Sequence, residues 1–301
     1  MTLHPEIQKI VDTLPPASTT PPNPVDNRAF EAGQVPPVDE RTPIASVTDD
    51  TIADVPVRVY ADADHPAGVI IYLHGGAFFS GSLDTHDHVA RALAKETGWR
   101  VVSVGYSLSP EVDFPVALHE CYAVVEKLSS TLDAGTPLAV AGDSSGGNFA
   151  AALTAMAQDA GLDTITHQIL YYPSVDLDFD QERWPSLREN AEGYGLEYNG
   201  LAPFNSFYLE GGADSADPLV SPIKREDLSG LPPALIITAG YDPLRDEGEA
   251  YAARLEKAGV PTQLKRYDAA NHGFVANFSW IPEFYQVFHD TARFLNSDSK
   301  G

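Results

Sequence analysis

Hydrophobic positions along this chain fall into short, nearly continuous apolar runs separated by longer amphipathic stretches. VPVRVYA (55–61), GVIIYLHGG (68–76), RVVSVGYSL (100–108), LAVAG (138–142), ITHQILYYP (165–173), ALIITAG (234–240) and TQLKRYDA (262–269) predict strands. GVIIYLHGG is apolar at nearly every position, as expected of a strand covered on both faces. Between the runs, helical spacing predicts helices at about 84–97, 115–130, 148–160, 247–259 and 281–296. Strand–helix alternation of this kind defines an α/β fold, a largely parallel sheet wrapped by helices.

Two stretches break the rhythm. Near the N-terminus, Leu3, Ile7, Ile10, Val11 and Leu14 predict one amphipathic helix, followed by PPASTTPPNPV, too rich in proline for regular structure. Residues 175–221 turn aromatic and irregular, with Trp184, Tyr194, Tyr198, Phe204, Phe207 and Tyr208. An apolar insertion between strands reads as a lid or substrate wall, and packing against the body is compatible with that role.

Length and composition bound the class. The 301 residues, 43% of them hydrophobic, suffice for one large α/β domain or two ordinary ones with a sizeable core. No run approaches the ~18 apolar residues of a membrane span, and the first residues lack the basic and apolar regions of a signal peptide. The single cysteine, Cys121, excludes an intrachain disulfide and reads as a small buried hydrophobe in the helix ALHECYAVVEKL. A cytoplasmic protein is therefore expected. The formal charge of −24 argues against nucleic acid and anionic membranes as partners. It is compatible with tolerance of high salt and equally with a charge balance inherited from the host proteome.

Candidate chemistry starts at LAVAGDSSGGNF. Only one frame matches G-x-S-x-G, that of Gly142, Ser144 and Gly146, because Asp143 occupies the glycine position of the other frame. A bare match is weak, but a strand precedes it and an Ala-rich helix follows. A serine on that turn projects its Oγ above the strand ends, with a helix N-terminus favouring negative charge. Ser144 is the expected nucleophile. Asp143, its neighbour on the same turn, is poorly placed to reach the far nitrogen of an imidazole. Asp242 lies first past the strand ALIITAG and is the expected acid, whereas helix capping accounts for Asp246 and Glu247. Among nine histidines, His272 follows the last strand beside a glycine and is the expected base. The order Ser144, Asp242, His272 is that of an α/β-hydrolase triad.

Acyl transfer also needs backbone N–H groups aimed at the developing oxyanion, each worth about 3 kcal/mol. His74-Gly75-Gly76-Ala77 ends a strand and can double back to present them, with the Ser145 amide as a further donor. His74 reads as an anchor of that loop. Asp84-Thr85-His86-Asp87-His88 has metal-ligating residue types but no supporting His or Cys spacing, so no metal is expected and Asp84 reads as part of a helix start.

With these pieces located, the chain resembles the hormone-sensitive-lipase family of α/β-hydrolases, the bacterial family IV esterases, over roughly residues 55–298. HGGAF (74–78) resembles the HGGG-type oxyanion motif, and GYSLSPEVDFP (105–115) the DYRLAPE stretch. GDSSGGN (142–148), AGYDPLRDEG (239–248) and NHGF (271–274) are similar to the nucleophile, acid and base motifs. The resemblance implies a helical cap formed by residues 1–45 and an insertion at 176–215, over a core of 46–175 and 216–301. It implies Gly75, Gly76, Ala77 and Ser145 around the oxyanion hole, and His86 and Asp87 as a family pattern. Three departures stand out: Ala77 replaces a glycine, Ser145 an alanine, and Ser107 an arginine. GGA motifs in the family are associated with bulky alcohol esters, which this sequence permits. The implied function is a serine carboxylesterase for short-chain esters, needing no cofactor, with a small-molecule ester as partner and a homodimer left open. Alternatives are an amide or N-acetyl hydrolase of the same fold, or a non-catalytic ligand-binding member; the intact His272 weighs against the latter.

Overall fold

The computed structural model describes residues 2–15 and 18–297; residues 1, 16–17 and 298–301 of the expected ranges 1–45 and 216–301 lie outside them. The strands are β1 (Ser46–Ile52), β2 (Val55–Ala61), β3 (Val69–Leu73), β4 (Arg100–Val104), β5 (Leu138–Asp143), β6 (Ile165–Tyr171), β7 (Ala234–Tyr241) and β8 (Thr262–Asn271). They form one sheet in the order β1-β2-β4-β3-β5-β6-β7-β8. The pairs from β4 to β8 are parallel, and β1 and β2 run antiparallel at one edge. All seven predicted strands are present. β1 is the addition: SVTDDTI carries no apolar alternation and stays largely exposed, so only its ladder with β2 defines it.

The helices are α1 (Pro5–Val11), α2 (Pro24–Ala32), α3 (Asp87–Thr97), α4 (Val116–Thr131) and α5 (Ser145–Asp159), then α6 (Ser186–Glu189) and α7 (Tyr198–Glu210). They end with α8 (Arg245–Lys257), α9 (Phe274–Asn277) and α10 (Pro282–Ser297). Alternation along each strand feeds two cores. On β3, Val69, Ile71 and Leu73 pack with α4, α5 and α8 through Cys121, Phe149 and Leu255. Ile70 and Tyr72 face the other way, toward Leu93 of α3 and Phe284 and Phe288 of α10.

The N-terminal segment differs from its expected form. Leu3, Ile7 and Val11 join the second core, but the helix ends at Val11, and Ile10 and Leu14 are exposed. The proline-rich run then gives way to α2, unforeseen in the sequence pattern. Its start follows from local chemistry: the Asn23 side chain accepts the amides of Val25 and Asp26, and Pro24 supplies a preset φ at the first position. Two further expectations change. Asp84 lies ahead of α3 and pairs with Arg58 at 2.7 Å rather than opening the helix. Glu247 is no helix cap: it is buried, and its Oε1 accepts the amides of Val175 and Asp176 at 2.8 and 3.2 Å. Burial, then the nearby Asp176 carboxylate, pushes its carboxyl well above the usual range.

α2 is held to the body chiefly through Arg28, with Glu31 accepting the Gly81 amide as a second tie. Arg28 donates from Nε to the Phe79 carbonyl (2.6 Å), from Nη2 to the Ser109 carbonyl (2.7 Å), and from both Nη atoms to Glu111. Removing it leaves two carbonyls without their donor. Arg28→Ala is expected to cost about 1–2 kcal/mol in urea unfolding and to speed proteolytic cleavage within 18–45. An unchanged unfolding midpoint and cleavage rate would contradict this pinning role.

Candidate active site

β5 ends at Asp143 and α5 begins at Ser145, so the reversal between them falls on Ser144 alone. Ser144 has φ 54° and ψ −118°, a backbone conformation that costs any residue with a side chain. Two close approaches allow the turn. A Cβ on Gly142 would lie 2.2 Å from the Gly146 carbonyl oxygen, and one on Gly146 would lie 2.0 Å from that of Leu73. Neighbours hold the strained turn in place: the Ser144 amide donates to the Tyr171 carbonyl, and the buried Asn148 side chain donates to the carbonyls of Ser174 and Val220.

Three loops at the carboxyl ends of the strands bring Ser144, His272 and Asp242 into one hydrogen-bonded chain. Ser144 Oγ lies 2.9 Å from His272 Nε2, and His272 Nδ1 lies 2.9 Å from Asp242 Oδ2. A proton on Nδ1, donated to Asp242, leaves Nε2 as the acceptor for the serine hydroxyl. Asp242 is fully buried, and its Oδ1 accepts the Leu244 amide at 2.8 Å. Asn190, from the insertion, steadies the same loop by donating to the Asp242 carbonyl at 3.0 Å. Tyr172 packs against the imidazole with ring centroids 4.9 Å apart.

Asp143, set aside as the acid, has a different task. Its Oδ1 accepts the Tyr72 hydroxyl at 2.6 Å and the Gly75 amide at 3.0 Å, and its Oδ2 lies 3.6 Å from His86 Nε2. Burial alone would raise this carboxyl, but the His86 ring and the Tyr72 hydroxyl hold it below the usual carboxylate range. Gly75 lines the cavity with its N–H committed to Asp143. Among the described residues, no acceptor within the protein takes the amides of Gly76, Ala77 or Ser145.

The loop carrying those amides is braced from below. His74 is buried; its Nδ1 lies 2.8 Å from the Gly75 carbonyl oxygen, and its ring stacks on Tyr106 at 4.3 Å. The Tyr106 hydroxyl donates to the His74 carbonyl at 2.6 Å. Ala77, where the family carries glycine, adopts φ 48°, and Phe78 follows at φ 65°. The side chain of Ser145 joins the brace, accepting the Phe78 amide at 3.4 Å. Ser107, at the arginine position, bonds Glu120 through both its amide and its hydroxyl. The residues 84–88 are each occupied within the protein: Asp84 with Arg58, His86 with Thr85, Asp87 with Arg91 and Tyr60, and His88 with the Ala276 carbonyl.

Ser144 and His272 open into a cavity of about 700 Å³. Its floor includes Gly76 and Ala77; its walls include Phe30 and Glu31 of α2, Leu196 and Phe204 of the insertion, and Trp280. The segment 1–45 thus divides, with α1 in the second core and α2 beside the cavity. The insertion likewise does two jobs, since Leu201 and Tyr208 of α7 join the first core while Phe204 lines the cavity.

A serine on a strained strand-to-helix turn, with a histidine and a buried aspartate behind it, defines a hydrolase-type site. The α/β hydrolase fold family matches residues 70–276 of the chain. Carboxylesterase NlhH of Mycobacterium tuberculosis is 39% identical over 254 residues, 81% of this chain and 77% of that protein. An arylesterase of Saccharolobus solfataricus is 37% identical, covering 74% of each chain. Among solved structures, a hyperthermophilic esterase from Pyrobaculum calidifontis is 36% identical with a TM-score of 0.89, covering 100% of both chains. The chain belongs to the α/β-hydrolase family, in its hormone-sensitive-lipase branch.

Burial, then the neighbouring His86, lowers the His74 imidazole from 6.5 to about 4. The folded state therefore binds fewer protons than the unfolded chain between those values. The stability from keeping His74 neutral is present above pH 6.5 and is lost as pH falls toward 4, by up to about 3 kcal/mol. Asp143, also depressed, adds to the loss at the acidic end. Urea midpoints between pH 7 and 4.5 are expected to fall more steeply for the wild type than for His74→Gln; parallel profiles would contradict the assignment.

Proposed function

We propose that this protein is a serine carboxylesterase acting on short-chain carboxylic esters. The observation that carries the reading is the continuous chain of hydrogen bonds from Asp242 through His272 to Ser144, ending in an open cavity. The names of its relatives and structural neighbours, carboxylesterase, arylesterase and esterase, support the same chemistry.

In the proposed reaction, Ser144 Oγ attacks the ester carbonyl while its proton passes to His272 Nε2. Asp242 keeps the other ring proton on Nδ1 and stabilises the imidazolium that forms. Negative charge on the carbonyl oxygen is met by the amides of Gly76, Ala77 and Ser145. The Ser145 amide stands at the N-terminus of α5, where the helix dipole adds to the effect. The imidazolium then protonates the leaving alcohol as the tetrahedral intermediate collapses to an acyl-enzyme. Water, deprotonated by His272, attacks that acyl group, and Ser144 leaves with the proton restored. A cavity of about 700 Å³ is in the range that encloses a small-molecule ester. In this reading α2 and the insertion at 176–215 form the cap that shapes the cavity.

The roles predict unequal costs for the two adjacent serines. Ser144→Ala is expected to lower kcat for p-nitrophenyl acetate by at least about 10³-fold. Ser145→Ala keeps its amide and loses only the brace to Phe78, a cost of about tenfold or less. Wild-type hydrolysis by Ser144→Ala would refute the assignment, as would a Ser145→Ala variant no better than Ser144→Ala.

A further inference from the structure

The cavity above Ser144 has a charge pattern that the ester chemistry does not require. Among the described residues, no lysine or arginine lines it, and its carboxylates are Asp143 and Glu31. Asp143 lies buried in the floor, engaged by Tyr72, Gly75 and His86. Glu31 stands on the wall, half-buried, at the last turn of α2. Its Oε2 accepts the Gly81 amide at 3.0 Å and its Oε1 accepts the Asn27 side-chain amide at 2.9 Å. Both donors are neutral, so its charge is left uncompensated at close range. Arg28, one turn earlier, is spent on Glu111 and two carbonyls and does not line the cavity.

Around Glu31 the wall is aromatic. Phe30 and Trp280, 70% and 62% exposed, stand at the mouth, and Phe79, Phe204 and Tyr172 lie further in. Phe79 and Phe204 present nearly parallel rings, 6.2 Å between centroids and 11° apart in plane. Exposed apolar patches beside a groove mark places where ligands bind. Aromatic faces attract a cation through their quadrupole, by more as water is excluded, and a nearby carboxylate adds a direct Coulomb attraction. A ligand carboxylate meets the opposite: repulsion from Glu31, no lysine or arginine along the described lining, and a chain of net charge −24.

Resting on the esterase reading, we propose that the cavity selects esters carrying a cationic group, such as a quaternary or protonated amine, and that Glu31 is the residue that determines this preference. The ester carbonyl sits at Ser144, and the cationic end lies toward Glu31 and the aromatic wall. Anionic esters are rejected by the same charge.

A pair of esters of equal shape isolates the effect: acetylcholine and 3,3-dimethylbutyl acetate, which differ by a quaternary nitrogen in place of a carbon. The ratio of their kcat/KM values, cationic over neutral, is expected to fall about fivefold in Glu31→Gln at low ionic strength. Glu31→Asp, which keeps the charge, is expected to keep most of the ratio. Phenyltrimethylammonium, titrated by quenching of the tryptophan fluorescence to which Trp280 contributes, is expected to bind about fivefold more weakly to Glu31→Gln, a readout independent of turnover. An unchanged ratio and unchanged binding would overturn the proposal while leaving the esterase reading intact. Failure of the wild type to hydrolyse p-nitrophenyl acetate as well as both esters, with phenyltrimethylammonium still bound in a Glu31-dependent way, would overturn the esterase reading instead.

Discussion

The fold hinges on a single strained residue. Ser144 makes the whole reversal from the fifth strand into the helix that follows it, with a positive φ that serine does not favour. That turn exists only because Gly142, Gly146 and Leu73 approach to distances that exclude a side chain. The sheet around it is therefore arranged for close backbone packing at one point, and the buried Asn148 side chain and the Tyr171 carbonyl keep it there. Strain of this kind lifts Oγ clear of the strand ends, where a histidine from another loop can reach it.

Asp143 connects this turn to the loop opposite. By accepting the Gly75 amide it sets where the next two amides point, and by accepting from Tyr72 it ties both loops to the second core. Ser144 and the proposed oxyanion donors are thus not independent features, because the residue just before Ser144 orients the loop that faces it. His74 and Tyr106 complete the brace from below, at the cost of keeping an imidazole buried and neutral.

Much of this was legible in the sequence, for physical reasons that differ from part to part. Buried strands announce themselves as apolar runs, so β3 and β5 could be read directly, whereas β1 is polar and exposed and is defined only by pairing. The positions of Ser144, Asp242 and His272 follow from what must lie past the end of a parallel strand. The roles of Asp143 and Glu247 could not be read, since each depends on amides 68 and 72 residues away. α2 carried a signal that was outweighed: Asn23 before Pro24 is a helix start, but the prolines around it argued for irregular chain. Glu31 and Phe30 therefore had no place in the cavity until that helix was seen.

The central claim is that Ser144 is a nucleophile activated by His272. Its most direct test is mass spectrometry of the protein after reaction with a p-nitrophenyl alkylphosphonate, which reacts as an ester would but stops at the covalent stage. The account predicts one adduct per chain, on the peptide containing Ser144, formed far more slowly in His272→Ala. An adduct on Ser145 or elsewhere, or equal labelling without His272, would contradict it.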